Sequence, residues 1–277
     1  MPSYLETALN IAREASALVQ DYAGKLARSE FSFELKGEHD LVTEADRASE
    51  KLIVERLRKE YPTHHIVAEE GGSHTGSSDY RWYVDPLDGT TNFAHGFLVY
   101  NVTLALEHAG ELIAGVISDP SRGEVFSAER GGGAFLDGKR IHVSKAARLE
   151  ESLAATGFPS RKRHANLNVH FFHQISMTTH GVRRAGAAAL DLAYVACGRL
   201  DLFWEFSLNP WDIAAGVLLV REAGGICSAM RGADLQMRAK NILADNGRVH
   251  AEALTLFGEV FAGKYRAALP ELPGPQG

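Results

Sequence analysis

Apolar side chains near the start of the chain recur three or four positions apart. Leu5, Leu9, Ala12, Ala15 and Val19 fall on one face, which predicts an amphipathic helix over residues 3–27. Phe31 to Leu35 reads as a strand. Thr43-Glu44-Ala45-Asp46 carries the signature of a helix start, and Ala48, Leu52, Ile53 and Leu57 give that helix a buried face up to Pro62. Ile66-Val67-Ala68 is a short apolar strand that runs straight into Glu69-Glu70-Gly71-Gly72. Strands are predicted over 80–85, 99–107, 111–118 and 124–130, and Asp137-Gly138 is a hairpin turn before Ile141-His142-Val143. Further strands are predicted over 151–156 and 199–204, and helices over 186–197, 211–223 and 248–263. Arg161 to His173 reads as a solvated segment, although His170 and His173 stand at a spacing that could bind metal. Residues 270–277, rich in Pro and Gly, read as a loose tail.

Helices alternating with strands predict a layered α/β or α+β sandwich. A soft boundary near 145–150 divides it into an N-terminal α+β half (1–147) and a C-terminal α/β half (148–277), together one compact unit. The chain has 277 residues, 45% of them hydrophobic and 23% charged, enough for one large core or two smaller ones. A net charge of −6 argues against general nucleic-acid binding. Cys197 and Cys227 both lie in apolar stretches, which predicts buried free thiols in a reducing compartment. With no leader-like pattern and no bilayer-length apolar run, the expected location is the cytoplasm, with no membrane partner.

Chemistry concentrates in Asp85-Pro86-Leu87-Asp88-Gly89-Thr90-Thr91. Two carboxylates stand three residues apart across a proline, which a helix would not run through. The expectation is a tight, non-helical bend at the end of the strand over 80–85, aiming Asp85, Asp88 and the Leu87 carbonyl at one point. Oxygen ligands converging in this way suit a hard divalent cation such as Mg²⁺. Gly89 permits a sharp backbone, and Thr90-Thr91 can open a helix whose free N–H groups attract an anion. A metal site beside an anion site suggests phosphate chemistry; the plainer alternative is a surface turn. Glu69, Asp212 after Asn209-Pro210-Trp211, and Asp46 each occupy a strand end or a helix start, where α/β folds place ligand sites. Each also has a simpler reading: Asp46 as a cap, Asp212 as a partner of the helix dipole, and Glu69 as a solvated acid.

Four ordered blocks carry a resemblance. They are Asp40-Leu41-Val42-Thr43-Glu44-Ala45-Asp46, Ala68-Glu69-Glu70-Gly71, Trp82 through Phe93, and Asn209-Pro210-Trp211-Asp212-Ile213-Ala214-Ala215-Gly216. In these the chain resembles the inositol monophosphatase family of Mg²⁺-dependent, lithium-sensitive phosphatases, from about residue 5 to residue 263. The resemblance implies a layered αβαβα sandwich of the sugar-phosphatase type. It implies Mg²⁺, two or three ions per site, held by Glu69, Asp85, the Leu87 carbonyl, Asp88 and Asp212. Asp46, Thr90 and Glu69 would serve catalysis, with Asp46 and Thr90 orienting the attacking water. Gly89 and Thr90 would hold the phosphate; Gly186, Ala187, Ala188 and Glu205 would line the substrate pocket, with Lys36 a basic residue near the metals. Leu202 and Ala187 depart from the usual glycine and hydroxyl residues, and both are expected near that pocket.

The implied activity is hydrolysis of a small phosphate monoester, with inositol monophosphate the lead substrate because of Glu205. Histidinol phosphate, fructose 1,6-bisphosphate and nucleotide 3′-phosphates are rivals. A regulatory protein acting through a partner, as some bacterial relatives do with the transcription machinery, is the alternative from another class. The resemblance also implies a homodimer; the net charge leads to the expectation of no direct nucleic-acid partner.

Overall fold

Alternate residues of the central strands face two different helix layers, and this period of two sets the architecture. The computed structural model describes residues 3–27, 33–37, 40–158 and 166–268. The chain runs α1 (Tyr4–Ala27), the antiparallel pair β1 (Phe33–Gly37) and β2 (Asp40–Thr43), α2 (Glu44–Glu60), β3 (His65–Ala68), β4 (Tyr80–Asp88), α3 (Thr90–Ala94), β5 (Asn101–His108), β6 (Glu111–Asp119), β7 (Glu124–Glu129), β8 (Gly133–Leu136) and β9 (Lys139–Ile141). It continues with β10 (Leu153–Thr156), α4 (Asn168–Thr178), β11 (Gly181–Arg183), α5 (Ala188–Ala196), β12 (Leu202–Phe206), α6 (Pro210–Glu222), β13 (Ile226–Ser228), β14 (Asn241–Asp245) and α7 (His250–Phe261).

Among the described residues, β3 to β9 form a seven-stranded sheet in chain order, and a five-stranded sheet has the order β11-β10-β12-β14-β13. Trp82, Val84, Val102, Leu104, Leu106 and Val116 turn one face of the larger sheet to Ala8, Ile11, Ala12, Ala15 and Val19 of α1 and to Ile53 and Leu57 of α2. The intervening Tyr83, Ala105 and Ile117 turn the other face to α5 and α6, which also pack on Phe203 and Ala244 of the second sheet. Leu202, Trp204 and Leu243 cover that sheet's far side together with Phe171 and Ile175 of α4 and Leu256 and Phe257 of α7. The five layers are therefore helix, sheet, helix, sheet, helix. This is the αβαβα sandwich that the resemblance implied.

Several local expectations hold at the level of single residues. Thr43 caps α2 in a reciprocal box with Asp46. Asp137 and Gly138 take φ of 49° and 75°, and Leu136 pairs with Lys139 across them, a two-residue hairpin with both central residues left-handed. Both cysteines are free thiols, Cys227 buried and Cys197 half-buried.

Others are corrected. β4 does not stop at Asp85. Asp85 pairs with Thr103 and Asp88 with Asn101, so three steps along β4 match two along β5. The bend is a bulge inside the strand, where Pro86 has no N–H to waste. Its carbonyl instead accepts the Ser49 hydroxyl of α2 at 2.8 Å. α4 begins inside the stretch read as solvated and runs on to Thr178, because Phe171 and Ile175 anchor it while His170 faces outward and His173 is half-buried; residues 159–165 and the tail lie outside the described residues. Asn168 at its start donates to Thr156 Oγ1 and Gly157 O at 2.8 and 2.7 Å and accepts from Trp204 Nε1 at 2.5 Å. Leu202 is fully buried in the outermost core, not beside a pocket.

α5 and α6 pack against each other in the layer between the sheets. A Cβ on Gly216 would stand 2.5 Å from Leu192 Cβ and 2.6 Å from its Cδ1. Gly216→Ala should therefore cost roughly 1–3 kcal/mol through overpacking. That loss would appear despite the ~1 kcal/mol that alanine ordinarily adds inside a helix. A chemical denaturation midpoint equal to or above the parent's would contradict this packing.

Candidate active site

The bulge in β4, the end of β3, the start of α5 and the start of α6 meet at the junction of the two sheets. They enclose a cavity of about 170 Å³ lined by Glu69, Asp85, Leu87, Asp88, Gly89, Thr90, Gly186, Ala188, Glu205 and Asp212. Ten of the residues singled out from the sequence thus share one wall. Asp46 lies behind it, and Ala187 is buried at the N-cap of α5 without lining the cavity. Lys36 belongs to β1, but its side chain lies outside the described residues.

Each acid is held by its own element. Asp85 Oδ1 accepts the Leu87 N–H at 3.1 Å, a turn closed within the bulge. Asp88 Oδ2 accepts Asn101 Nδ2 at 2.9 Å and the Ala189 N–H of α5 at 3.0 Å. Thr103 Oγ1 donates to Asn101 Oδ1 at 2.6 Å, which fixes the amide with its nitrogen toward Asp88. Asp212 sits in the first turn of α6 and accepts the Asn209 N–H at 2.6 Å. Gly89 must be glycine: its φ is 88°, and a Cβ would fall 2.7 Å from Val99 O.

Burial and mutual repulsion push these acids toward protonation. Asp85 is raised well above the ordinary carboxylate range by burial first, then by the charges of Glu69, Asp88 and Asp212. Burial raises Asp88 to about 6, although hydrogen bonds from Asn101, Ala189, Ala188 and Gly89 favour its charged form. Asp212 is raised to about 7, by burial and the Asp88 charge against the Asn209 hydrogen bonds. Asp46 is raised to about 6 by burial, opposed by its bonds to Thr43 and Thr90. Its Oδ2 accepts the Thr43 N–H at 2.8 Å and the Thr43 hydroxyl, and its Oδ1 lies 2.8 Å from Thr90 Oγ1. Asp46 thus caps α2 through one oxygen and bonds Thr90 through the other.

Sequence reading missed two charged groups here. Arg184, directly after β11, is the one cation among the described lining residues. Asp191, buried within the apolar run of α5, is raised well above the ordinary range by burial and then by Asp88, with Arg184 acting against this. The paired arginines before Gly186 and a lone acid among alanines and leucines were the available signals. Glu205 is likewise raised well above its ordinary range, by burial and then by Asp191, Asp212 and Asp88, with Arg184 again opposing. Gly157 makes room for it, because a Cβ there would stand 2.2 Å from both Glu205 carboxylate oxygens.

The donor set decides what this wall can hold. The donors are oxygens alone, carboxylates with the Leu87 carbonyl among them, and the raised pKa values of Asp85, Asp88 and Asp212 register a deficit of positive charge. That fits a hard divalent cation. Among the described residues no three His, Cys, Asp or Glu side chains already stand close enough to hold a metal ion. An open, incomplete cage of this kind suits Mg²⁺, which keeps waters and takes further oxygens from a phosphate.

Layers and pocket together are those of the sugar-phosphatase fold class. The sequence model of the inositol monophosphatase family matches residues 2–260, and the chain belongs to that family. Members are Mg²⁺-dependent, and the membership supports phosphatase activity. The chain is 47% identical over 261 residues to the Nus factor SuhB of Pseudomonas aeruginosa, covering 92% of this chain and 96% of that protein. It is 46% identical over 215 residues to an inositol-1-monophosphatase of Mesorhizobium japonicum, covering 76% and 80% of the two chains. The crystal structure of the extragenic suppressor protein suhB from Bartonella henselae superimposes with a TM-score of 0.86 at 40% identity, covering 91% of this chain and 97% of that one. Among the described residues no helix is long and apolar enough to cross a membrane.

The raised acids make a stability prediction for metal-free protein. A carboxyl whose folded pKa exceeds its unfolded value supports the fold at low pH and loses that support as pH rises through the folded value. For Asp212 the window runs from its ordinary 3.8 up to about 7. Asp212→Asn should therefore raise the Tm in EDTA at pH 7.5, and the gain should vanish near pH 4. An equal gain at both values would show that charge is not its cause.

Proposed function

We propose that the chain hydrolyses a small phosphate monoester, with inositol monophosphate the lead substrate. The observation that carries this reading is the Thr90–Asp46 hydrogen bond of 2.8 Å standing directly beside four repelling carboxylates. Mg²⁺ held by Glu69, Asp85, the Leu87 carbonyl, Asp88 and Asp212 would supply Lewis acidity toward the attacking water and the leaving oxygen. Thr90 Oγ1 carries one proton and stands near two acceptors, Asp46 Oδ1 and, at 3.0 Å, Leu87 O. Donating to Asp46 leaves its lone pairs turned to a water in the pocket. Asp46, raised to about 6 and shielded from solvent, is poised to take a proton through that hydroxyl near neutral pH. Gly89 and Thr90 face the space a phosphate would fill, and Arg184 adds the positive side chain that a dianionic ester needs.

Glu205 selects the alcohol. Its carboxyl, raised well above the ordinary range by burial, faces the pocket where a sugar or polyol hydroxyl would lie and can hydrogen-bond it. Gly186 and Ala188 shape the same wall, and Ala187 sets the course of α5 behind it. Histidinol phosphate, fructose 1,6-bisphosphate and nucleotide 3′-phosphates remain rival substrates of the same chemistry. The proposed setting is a cytoplasmic homodimer.

The likeness to proteins named Nus factor SuhB favours a second role, in transcription through a partner. The two roles are compatible, because the acids of the pocket are all present here.

Phosphate release from the four substrate types, with and without Mg²⁺, tests the reading. Asp88→Asn should lower turnover at least ~10²-fold while the protein stays folded; undiminished turnover would remove Asp88 from the reaction. Glu205→Ala should reduce inositol phosphate turnover more than that of an aryl phosphate, and equal losses would mean that it does not read the alcohol.

A further inference from the structure

A second cleft lies on the far side of Leu208 from the acidic pocket, and its character is the reverse. Two adjoining cavities of about 450 and 280 Å³ share Arg81, Tyr83 and Arg238 in their walls. Arg221 joins the larger, Lys240 and Trp211 the smaller. The chain carries a net charge of −6, yet these cavities hold more cations than anions.

The acids present are already engaged. Glu107, buried, accepts Arg81 Nη1 at 2.9 Å and the Tyr83 hydroxyl at 3.1 Å, which pins both side chains on the cleft wall. Glu111 pairs with Arg130 at 3.2 Å. Among the described residues no ion pair engages Arg221, Arg238 or Lys240. One further group is unsatisfied: Trp211 Nε1 is buried with no hydrogen-bond partner among the described residues. A buried indole N–H without an acceptor is costly unless something else supplies one.

We propose that this cleft binds a nucleoside polyphosphate at a site separate from the carboxylate pocket. Guanidiniums of Arg81, Arg221 and Arg238 match phosphate oxygens in charge and geometry. Trp211, half-buried in the cleft wall, offers flat apolar surface for a base, and the indole N–H offers a donor for one of its ring or carbonyl acceptors. The combined volume lies in the range of pockets for organic ligands and exceeds what a bare phosphate needs. Trp211 directly precedes Asp212, and Leu208 lines both clefts. A bound ligand would therefore sit against the turn that holds one wall of the acidic pocket.

The test titrates the full chain, in Mg²⁺ buffer with saturating inorganic phosphate, with the non-hydrolysable ATP analogue AMP-PNP. Calorimetry and tryptophan emission are read together. Trp82 and Trp204 are fully buried in the cores, so an emission change reports Trp211. Saturable binding is expected, weakened at least tenfold in Arg221→Glu/Arg238→Glu and in Lys240→Glu. Asp88→Asn should bind as the parent does, and Trp211→Phe should lose the emission change. Both charge-reversal proteins should keep the parent's circular dichroism and its turnover of an aryl phosphate. No saturable binding, parent-like binding by the charge-reversal variants, or binding lost in Asp88→Asn would each overturn the site. Equal affinity for tripolyphosphate would overturn the assignment to a nucleoside.

Discussion

Four carboxylates that repel one another, Glu69, Asp85, Asp88 and Asp212, share one small cavity, and much of the structure around them exists to keep them there. No single element could do this. A helix would space the acids along its length, and an unbroken strand would turn Asp85 and Asp88 to opposite faces. The bulge at Pro86 changes the strand's phase by one residue, so both acids reach the same side. Glu69 comes from the end of the neighbouring parallel strand, and Asp212 from the first turn of a helix packed across the sheet. On the proposed reading, that repulsion is what a bound cation would relieve.

The framework offsets part of the cost by hydrogen bonding the charged forms. Asp88 takes the amide of α5 and an asparagine that Thr103 has oriented; Asp212 takes the Asn209 amide; Asp46 takes Thr43. Each of these bonds also belongs to the fold, as a helix cap or a tie between strands. The site cannot relax its repulsion by moving an acid without loosening a helix or the sheet. At Gly89 and Gly157 the backbone leaves no room for a side chain, and a methyl group would collide with Val99 O or with the Glu205 carboxylate.

What the sequence made legible was local. The periodicities of α1 and α2, the apolar strands of the large sheet and the Asp137-Gly138 turn all state their structure within a few residues. So did the acids, since each stands at a strand end or a helix start. What stayed hidden depends on distant partners. α4 reads as polar because only Phe171 and Ile175 hold it to the core, and Asn168 earns its place through Trp204, 36 positions away. Leu202 reads as a pocket residue until the order of the second sheet turns it to the opposite face. Arg184 and Asp191 carry no motif; packing alone brings them to Glu205. The basic cleft is similarly silent, because its arginines are scattered from β4 to the segment before β14.

If burial and mutual repulsion hold the acids partly protonated, a cation that binds them must expel protons. Calorimetric titration of the metal-free protein with Mg²⁺ and phosphate near pH 6.5, repeated in buffers of different ionisation enthalpy, counts those protons directly. Because the phosphate itself changes ionisation in this range, the same titration of Asp212→Asn is subtracted. The account predicts net proton release from the parent beyond that of the variant, shrinking as the pH rises past about 7, where Asp212 is already ionised. Tight binding with the same proton count in both proteins would contradict it, since the carboxylates would then have been charged all along.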